Sequence, residues 1–181
     1  MLMDRIVGAF TFKKGVYLQT ANDATFTNTA WMLVLVVAFL EQLGAHGGIL
    51  SLHFIRWFIS GVILAVVAVA AFALAVFLVA WAATNLFKAT VTFEQLQRAM
   101  GLAFVWHIIG VIGVFGFLVS CITSPIVFLA SLAGLAANLF AIKETSNMDW
   151  AGTVVSAVLA WVVMVVIIFI AVIILGVVHL L

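Results

Sequence analysis

The sequence predicts an all-α, polytopic membrane protein of about five transmembrane helices, with short loops and an interfacial helix at its N-terminus. Composition is the first observation behind this: of 181 residues, 68% are hydrophobic and 7% charged, against roughly 45–50% and about 25% in soluble domains. The second is pattern, because the apolar residues fall in runs far longer than the roughly 10 to 14 of a buried core helix. The third is that the polar residues gather in a few short stretches between those runs. No water-soluble globule could cover so much apolar surface, so the bilayer is the solvent.

The segment 1–28 is expected to be a cytoplasmic or interfacial piece, followed by a five-helix transmembrane domain over 29–181. Leu2, Met3, Ile6, Val7 and Phe10 recur at helical spacing with Asp4 and Arg5 off the stripe, which suits a short helix lying in the interface. Lys13 and Lys14 follow and would face anionic headgroups. Asp4, Arg5, Lys13, Lys14 and Asp23 interrupt this stretch, so it does not resemble a signal peptide. The first span is then its own uncleaved signal.

That first span is expected over Ala30–Leu43, with Trp31 at one interface and Glu41 and Gln42 near the other end. The glycine-rich link from Gly44 to Gly48 ends it. A second span covers Trp57 to Phe87, 31 residues without a charge. As one helix it would extend about 46 Å, more than the roughly 30 Å hydrocarbon core, so it must tilt, bend or project. Between Lys88 and Met100, Thr92 and Gln95 have capping-box spacing, predicting a helix start at Thr92. Phe93, Leu96 and Met100 would share one face, and Glu94 and Arg98 would pair on a solvated one, making this an interfacial elbow. The third span follows over about Gly101–Val119 and the fourth over about Ser124–Ile142. Cys121 to Pro125 would be the tight link between them, with Pro125 in the first turn of the fourth helix. The fifth span runs from Trp150 to about Val178.

Orientation follows from the basic residues. With the N-terminus inside, Arg5, Lys13, Lys14, Lys88, Arg98 and Lys143 are all on the inner side and Arg56 alone is outside, the bias of a cytoplasmic face. Five crossings place the C-terminus outside. A net charge of +1 gives nucleic acid no field to bind, so the expected partners are the lipid bilayer and other integral membrane proteins. The single cysteine, Cys121, has no second thiol to pair with and reads as a small buried hydrophobe.

No phosphate loop, nucleophile elbow, zinc-binding HExxH or paired-carboxylate pattern is present, so no catalytic residue, metal site or cofactor is assigned. Three intramembrane polar residues stand out: Glu41, His107 and Asn138. Glu41 falls within a turn of the outer interface, where it can reach water, and a coupled ion site would need a facing base, with His46 and His53 as candidates. His107 is the histidine set well inside a span. It could ligate a haem or chlorin, although hydrogen bonding to a neighbouring helix is the commoner use. Asn138, like Asn85, reads as an interhelical hydrogen-bonding group. Helix packing is marked by Ala133, Ala137 and Ala141 at four-residue spacing, with Ala130 and Gly134 alongside, and by Gly110, Gly113 and Gly116. These stripes would seat the third and fourth spans against each other as the packed centre.

Three stretches carry a family resemblance: Arg5–Tyr17 (RIVGAFTFKKGVY), Thr92–Arg98 (TFEQLQR), and Ala137–Thr145 leading to Asp149–Gly152. Together they resemble a prokaryotic member of the Yip1 family, in order over nearly the whole chain. A proline often found early in that family's third helix is replaced here by Ala103–His107 (AFVWH), and the Asp-Leu-Tyr-Gly-Pro signature of eukaryotic relatives is absent. The link of those relatives to small GTPases is therefore not carried over. The resemblance implies five helices, an inside N-terminus and no established enzyme chemistry. The expected function is a non-enzymatic scaffold or accessory subunit in a prokaryotic cytoplasmic membrane. The alternatives are a small ion or solute transporter or channel, and a pigment- or haem-bearing subunit of an energy-transducing complex.

Overall fold

The computed structural model describes residues 2–45 and 54–177, with the backbone alone for 116–120. In chain order the elements are α1 (Leu2–Phe10), α2 (Val16–Asn22), a short 3₁₀ turn (Ala24–Phe26), α3 (Thr27–Ala45), α4 (Phe54–Asn85), α5 (Phe93–Ala103), a 3₁₀ segment (Phe104–Phe115), α6 (Gly116–Ser146) and α7 (Trp150–Val177). No strand occurs among the described residues. Five stretches are long and apolar enough to cross a bilayer: Ala24–Ala45, Phe54–Asn85, Phe93–Phe115, Cys121–Ser146 and Trp150–Val177. The polytopic all-α architecture is therefore the one the composition predicts. His46, His53 and most of the link from Gly44 to Gly48 lie outside the described residues, as does the chain end from Val178.

The N-terminal piece is two helices rather than one. Gly15, at φ 83°, supplies the left-handed residue that separates α1 from α2, and the polar stretch after Tyr17 is wound into α2 and the 3₁₀ turn. Asp23 starts that turn, its carboxylate accepting from the Thr25 backbone N–H at 3.0 Å. The apolar stripe of α1 is shared between two surroundings. Ile6 and Phe10 pack against the core, whereas Leu2, Met3 and Val7 are exposed.

The capping box at Thr92 forms as its spacing predicts: the Thr92 hydroxyl accepts from the Gln95 N–H at 3.2 Å, and the Gln95 side chain accepts from the Thr92 N–H at 3.0 Å. The helix it starts is not a solvated elbow, however. Arg98 is 8% exposed and donates to Thr27 Oγ1 at 3.3 Å, and Gln97 is buried beside it. The cause is tertiary, since α2, α3 and α6 all pack around α5 and cover Gln97 and Arg98, leaving Glu94 exposed at its start.

Beyond Ala103 the third span changes winding. Twelve residues, Phe104–Phe115, form a 3₁₀ helix, far longer than the three or four usual for that geometry.

The 3₁₀ segment gives way to α6 at Phe115–Gly116, and the expected link at Cys121–Pro125 is part of α6. Pro125 sits inside that helix, not in its first turn. A proline removes one backbone hydrogen bond, but an open chain in lipid would strand several, so the helix continues through it. Cys121 is exposed, not buried, on the outer side of α6. At the other end Asn147, at φ 52°, closes α6 with its N–H on the Lys143 carbonyl. Asp149 then opens α7 by accepting from the Gly152 N–H at 2.9 Å.

Packing places the 3₁₀ segment between α3 and α6, while α4 lies between α3 and α7. The buried face of α4 repeats Gly61, Ala68, Ala75 and Ala82 at seven-residue spacing, the period that keeps one seam facing a partner. On α7 the covered residues are mostly small, Gly152, Thr153, Ser156 and Ala160. Its bulky side chains, among them Trp161, Phe169 and Ile173, point outward.

Candidate functional site

Glu41 of α3 and His107 of the 3₁₀ segment meet inside the bundle, Nδ1 of the ring lying 2.9 Å from Oε1 of the carboxyl. Glycines on three elements make this approach possible. A Cβ at Gly110 would lie 3.0 Å from Glu41 Cγ, and one at Gly134 of α6 would lie 3.2 Å from His107 Nε2. At Gly44, one turn beyond Glu41, an added Cβ would collide with the Gly110 carbonyl; at Gly113 it would stand 2.6 Å from the Gly44 oxygen. The carboxyl, the imidazole and the 3₁₀ backbone can thus close up only because those positions lack side chains.

The winding sets the ring. In a 3₁₀ helix residues three apart eclipse, so Phe104, His107, Gly110 and Gly113 form one line. Phe104 stacks on the imidazole with centroids 4.7 Å apart and planes at 20°, which holds the ring's orientation. About a quarter of each partner remains uncovered by protein, 23% of the His107 side chain and 29% of that of Glu41. A hydrogen bond at this distance requires one proton between the two atoms: either Nδ1–H donates to a carboxylate, or a carboxylic acid donates to Nδ1.

This pairing was not legible as a pair. His46 and His53, the candidate bases for a coupled site at Glu41, lie outside the described residues, and the base that faces it comes from the third span. The spacing of three in Phe104, His107, Gly110 and Gly113 was the available signal, because it is the period of a 3₁₀ helix and not of an α-helix. Other polar expectations change as well. Asn138 donates to the Gly134 carbonyl at 3.0 Å and Asn85 to that of Trp81 at 2.9 Å, so both bond within their own helices rather than between helices. Of the small residues on α6, Ala130, Gly134, Ala137 and Ala141 are buried and Ala133 is partly covered. Gly134 packs on Trp106 and His107, whereas Gly110 and Gly113 turn the other way, to α3. Gly116 begins α6. The packed centre is therefore the 3₁₀ segment held between two helices, not a face-to-face pair of stripes.

A second polar cluster ties the N-terminal helices to the bundle. Arg5 and Asp23 form an ion pair at 2.6 Å, with the guanidinium 4.9 Å from the Phe26 ring centroid. The Thr25 hydroxyl first, and Arg5 second, hold the Asp23 carboxyl down at about 2. The Gly15 N–H donates to Glu144 Oε1 at 2.9 Å, across to the end of α6. Burial, with the Glu144 carboxylate nearby, pushes the Tyr17 phenol up. Trp106 donates its indole N–H to the Ala9 carbonyl at 3.2 Å, and Phe12 stacks on the same indole. Among the described residues no group of three or more histidine, cysteine, aspartate or glutamate side chains could hold a metal ion.

This arrangement defines a multi-pass helical membrane protein with one internal carboxyl–imidazole pair. Comparison with models of known protein families, with characterised proteins and with solved structures returns no match for the chain.

Proposed function

We propose that the protein is a non-enzymatic membrane scaffold or accessory subunit, which works by laying its helix faces against other integral membrane proteins and lipid. One observation carries this reading: Glu41, His107, Ser60 and Asn138 of the spans bond to one another or to their own helices, while the faces turned outward are largely apolar. Glu41 and His107 bond to each other, Ser60 to the Trp57 carbonyl, and Asn138 to its own helix. Outward stand Met32, Ile55, Phe128 and Phe169, each more than half exposed. Such surfaces gain nothing from hydrophobicity alone on meeting another protein in lipid, so association rests on shape and close contact.

The Yip1-like reading belongs to this proposal. The three stretches that carry the resemblance fall in α1–α2, in α5 and at the junction of α6 with α7, and α2, α5 and α6 pack together. A prokaryotic cytoplasmic membrane with the N-terminus inside is the orientation that the lysines and arginines support.

Extraction in a gentle detergent followed by mass spectrometry of the co-migrating proteins tests the proposal. A larger assembly, released by substitutions on the outward faces of α4 or α7, is the expected result. If the purified protein alone moved an ion or solute across liposomes at a rate abolished by Glu41→Gln or His107→Ala, the scaffold reading would be replaced by the transporter one.

A further inference from the structure

We propose that Glu41 and His107 form one proton-binding site inside the bundle, taking up and releasing a proton as a unit and not as two separate groups. The inference does not depend on which neighbour the protein meets. It rests on geometry: a carboxyl and an imidazole on different spans at 2.9 Å, with glycine at the four positions, Gly44, Gly110, Gly113 and Gly134, where a side chain would push the elements apart.

The proton balance is simple. With Glu41 ionised and the ring neutral, the Nδ1 proton lies between the partners and the pair carries one negative charge. Uptake of one proton at Nε2 gives an imidazolium beside a carboxylate; transfer of the bridging proton to Oε1 then gives a carboxylic acid beside a neutral ring. Both arrangements have no net charge, the condition least costly away from water. Two groups this close share their titration, so each step belongs to the pair.

On the side of Glu41, α4 packs against α3 and carries Arg56, which is exposed. Glu41 is the one ionisable residue of α3, and His107 the one of the 3₁₀ segment. On the elements packed against that segment, α6 carries Cys121, Lys143 and Glu144, α5 carries Glu94 and Arg98, and α1 carries Asp4 and Arg5. Lys143 and Glu144 are nine and ten residues from Gly134, and Arg98 is nine from His107. Glu41 lies four residues before Ala45 of α3, about 6 Å along the axis.

The test uses the full chain in lipid nanodiscs, with isotope-labelled histidine and glutamate followed by NMR across a pH series. The His107 ring and Glu41 carboxyl signals are identified by their loss in His107→Gln and Glu41→Gln. In the unsubstituted protein both signals are expected to inflect at a common midpoint. In Glu41→Gln the ring's midpoint is expected to move by at least about one pH unit, tenfold in proton affinity. Separate midpoints in the unsubstituted protein would overturn the proposal, and so would a ring that titrates the same with and without Glu41. Because the first readout needs only the native sequence once the signals are assigned, a variant too unstable to titrate does not protect the idea.

Discussion

Gly44 of α3 and Gly110 of the 3₁₀ segment are in backbone contact: a Cβ on Gly44 would run into the Gly110 carbonyl and come within 3.1 Å of the Val111 Cα. Neither neighbour is the end of a flexible side chain, so the backbone itself would have to move. The approach explains how a carboxyl one turn away on α3 can reach an imidazole one turn away on the segment. It also seats the third span directly on α3.

Gly44→Ala is therefore expected to destabilise the protein by about 1–3 kcal/mol, the range for overpacked cores. Ala137→Leu, at a position with no exposure, belongs in the same range. Val165→Leu, at a position 46% exposed on α7, should change little. Thermal unfolding in detergent checks this, and equal midpoints for all three variants would remove the case for a close seam.

The capping box at Thr92 holds the start of α5. Thr92→Ala should cost about 1 kcal/mol, while Thr92→Ser should restore most of the loss. The same unfolding assay distinguishes the two, and an alanine variant as stable as the serine one would show that the cap is dispensable.

The Asp23 carboxyl, held at about 2 against an ordinary value of 3.8, gives a pH dependence of known sign. A lowered carboxyl stabilises the folded form above its unfolded value, and that contribution is lost as pH falls through the folded one. The docking of α1 should thus weaken between about pH 4 and pH 2. Proteolysis of the N-terminal segment across this window is the measurement. In Asp23→Asn the pH dependence should be absent, and a dependence that persisted there would assign the effect to another group.

Topology can be read by chemical labelling. In a Cys121→Ser background, cysteine at Lys14 or Glu94 should be shielded in intact cells from a thiol reagent that cannot cross the membrane, whereas cysteine at Ala45 should react. Both Lys14 and Glu94 are exposed in the fold, so shielding there reports sidedness and not burial. Labelling of Glu94→Cys from outside would reverse the orientation.

The sequence by itself determined the architecture, because runs of apolar residues as long as Trp57–Phe87 can satisfy their backbone in lipid only as helices. The helix start at Thr92 was equally local, set by side chains within a few residues of the backbone they cap, whereas the fourth span runs on past Ile142 to Ser146. What only the tertiary structure decided was the use of the polar residues. Arg98 looked solvated until α2, α3 and α6 closed around α5. Pro125 looked like a helix start, but α6 begins at Gly116 and runs through it. Glu41 found its base 66 positions away, through a 3₁₀ segment that sets Phe104, His107, Gly110 and Gly113 on one line. Local patterns record what each stretch can form. Which buried groups meet depends on how far apart the helix axes lie, and that distance is set by glycines on elements that are remote in sequence.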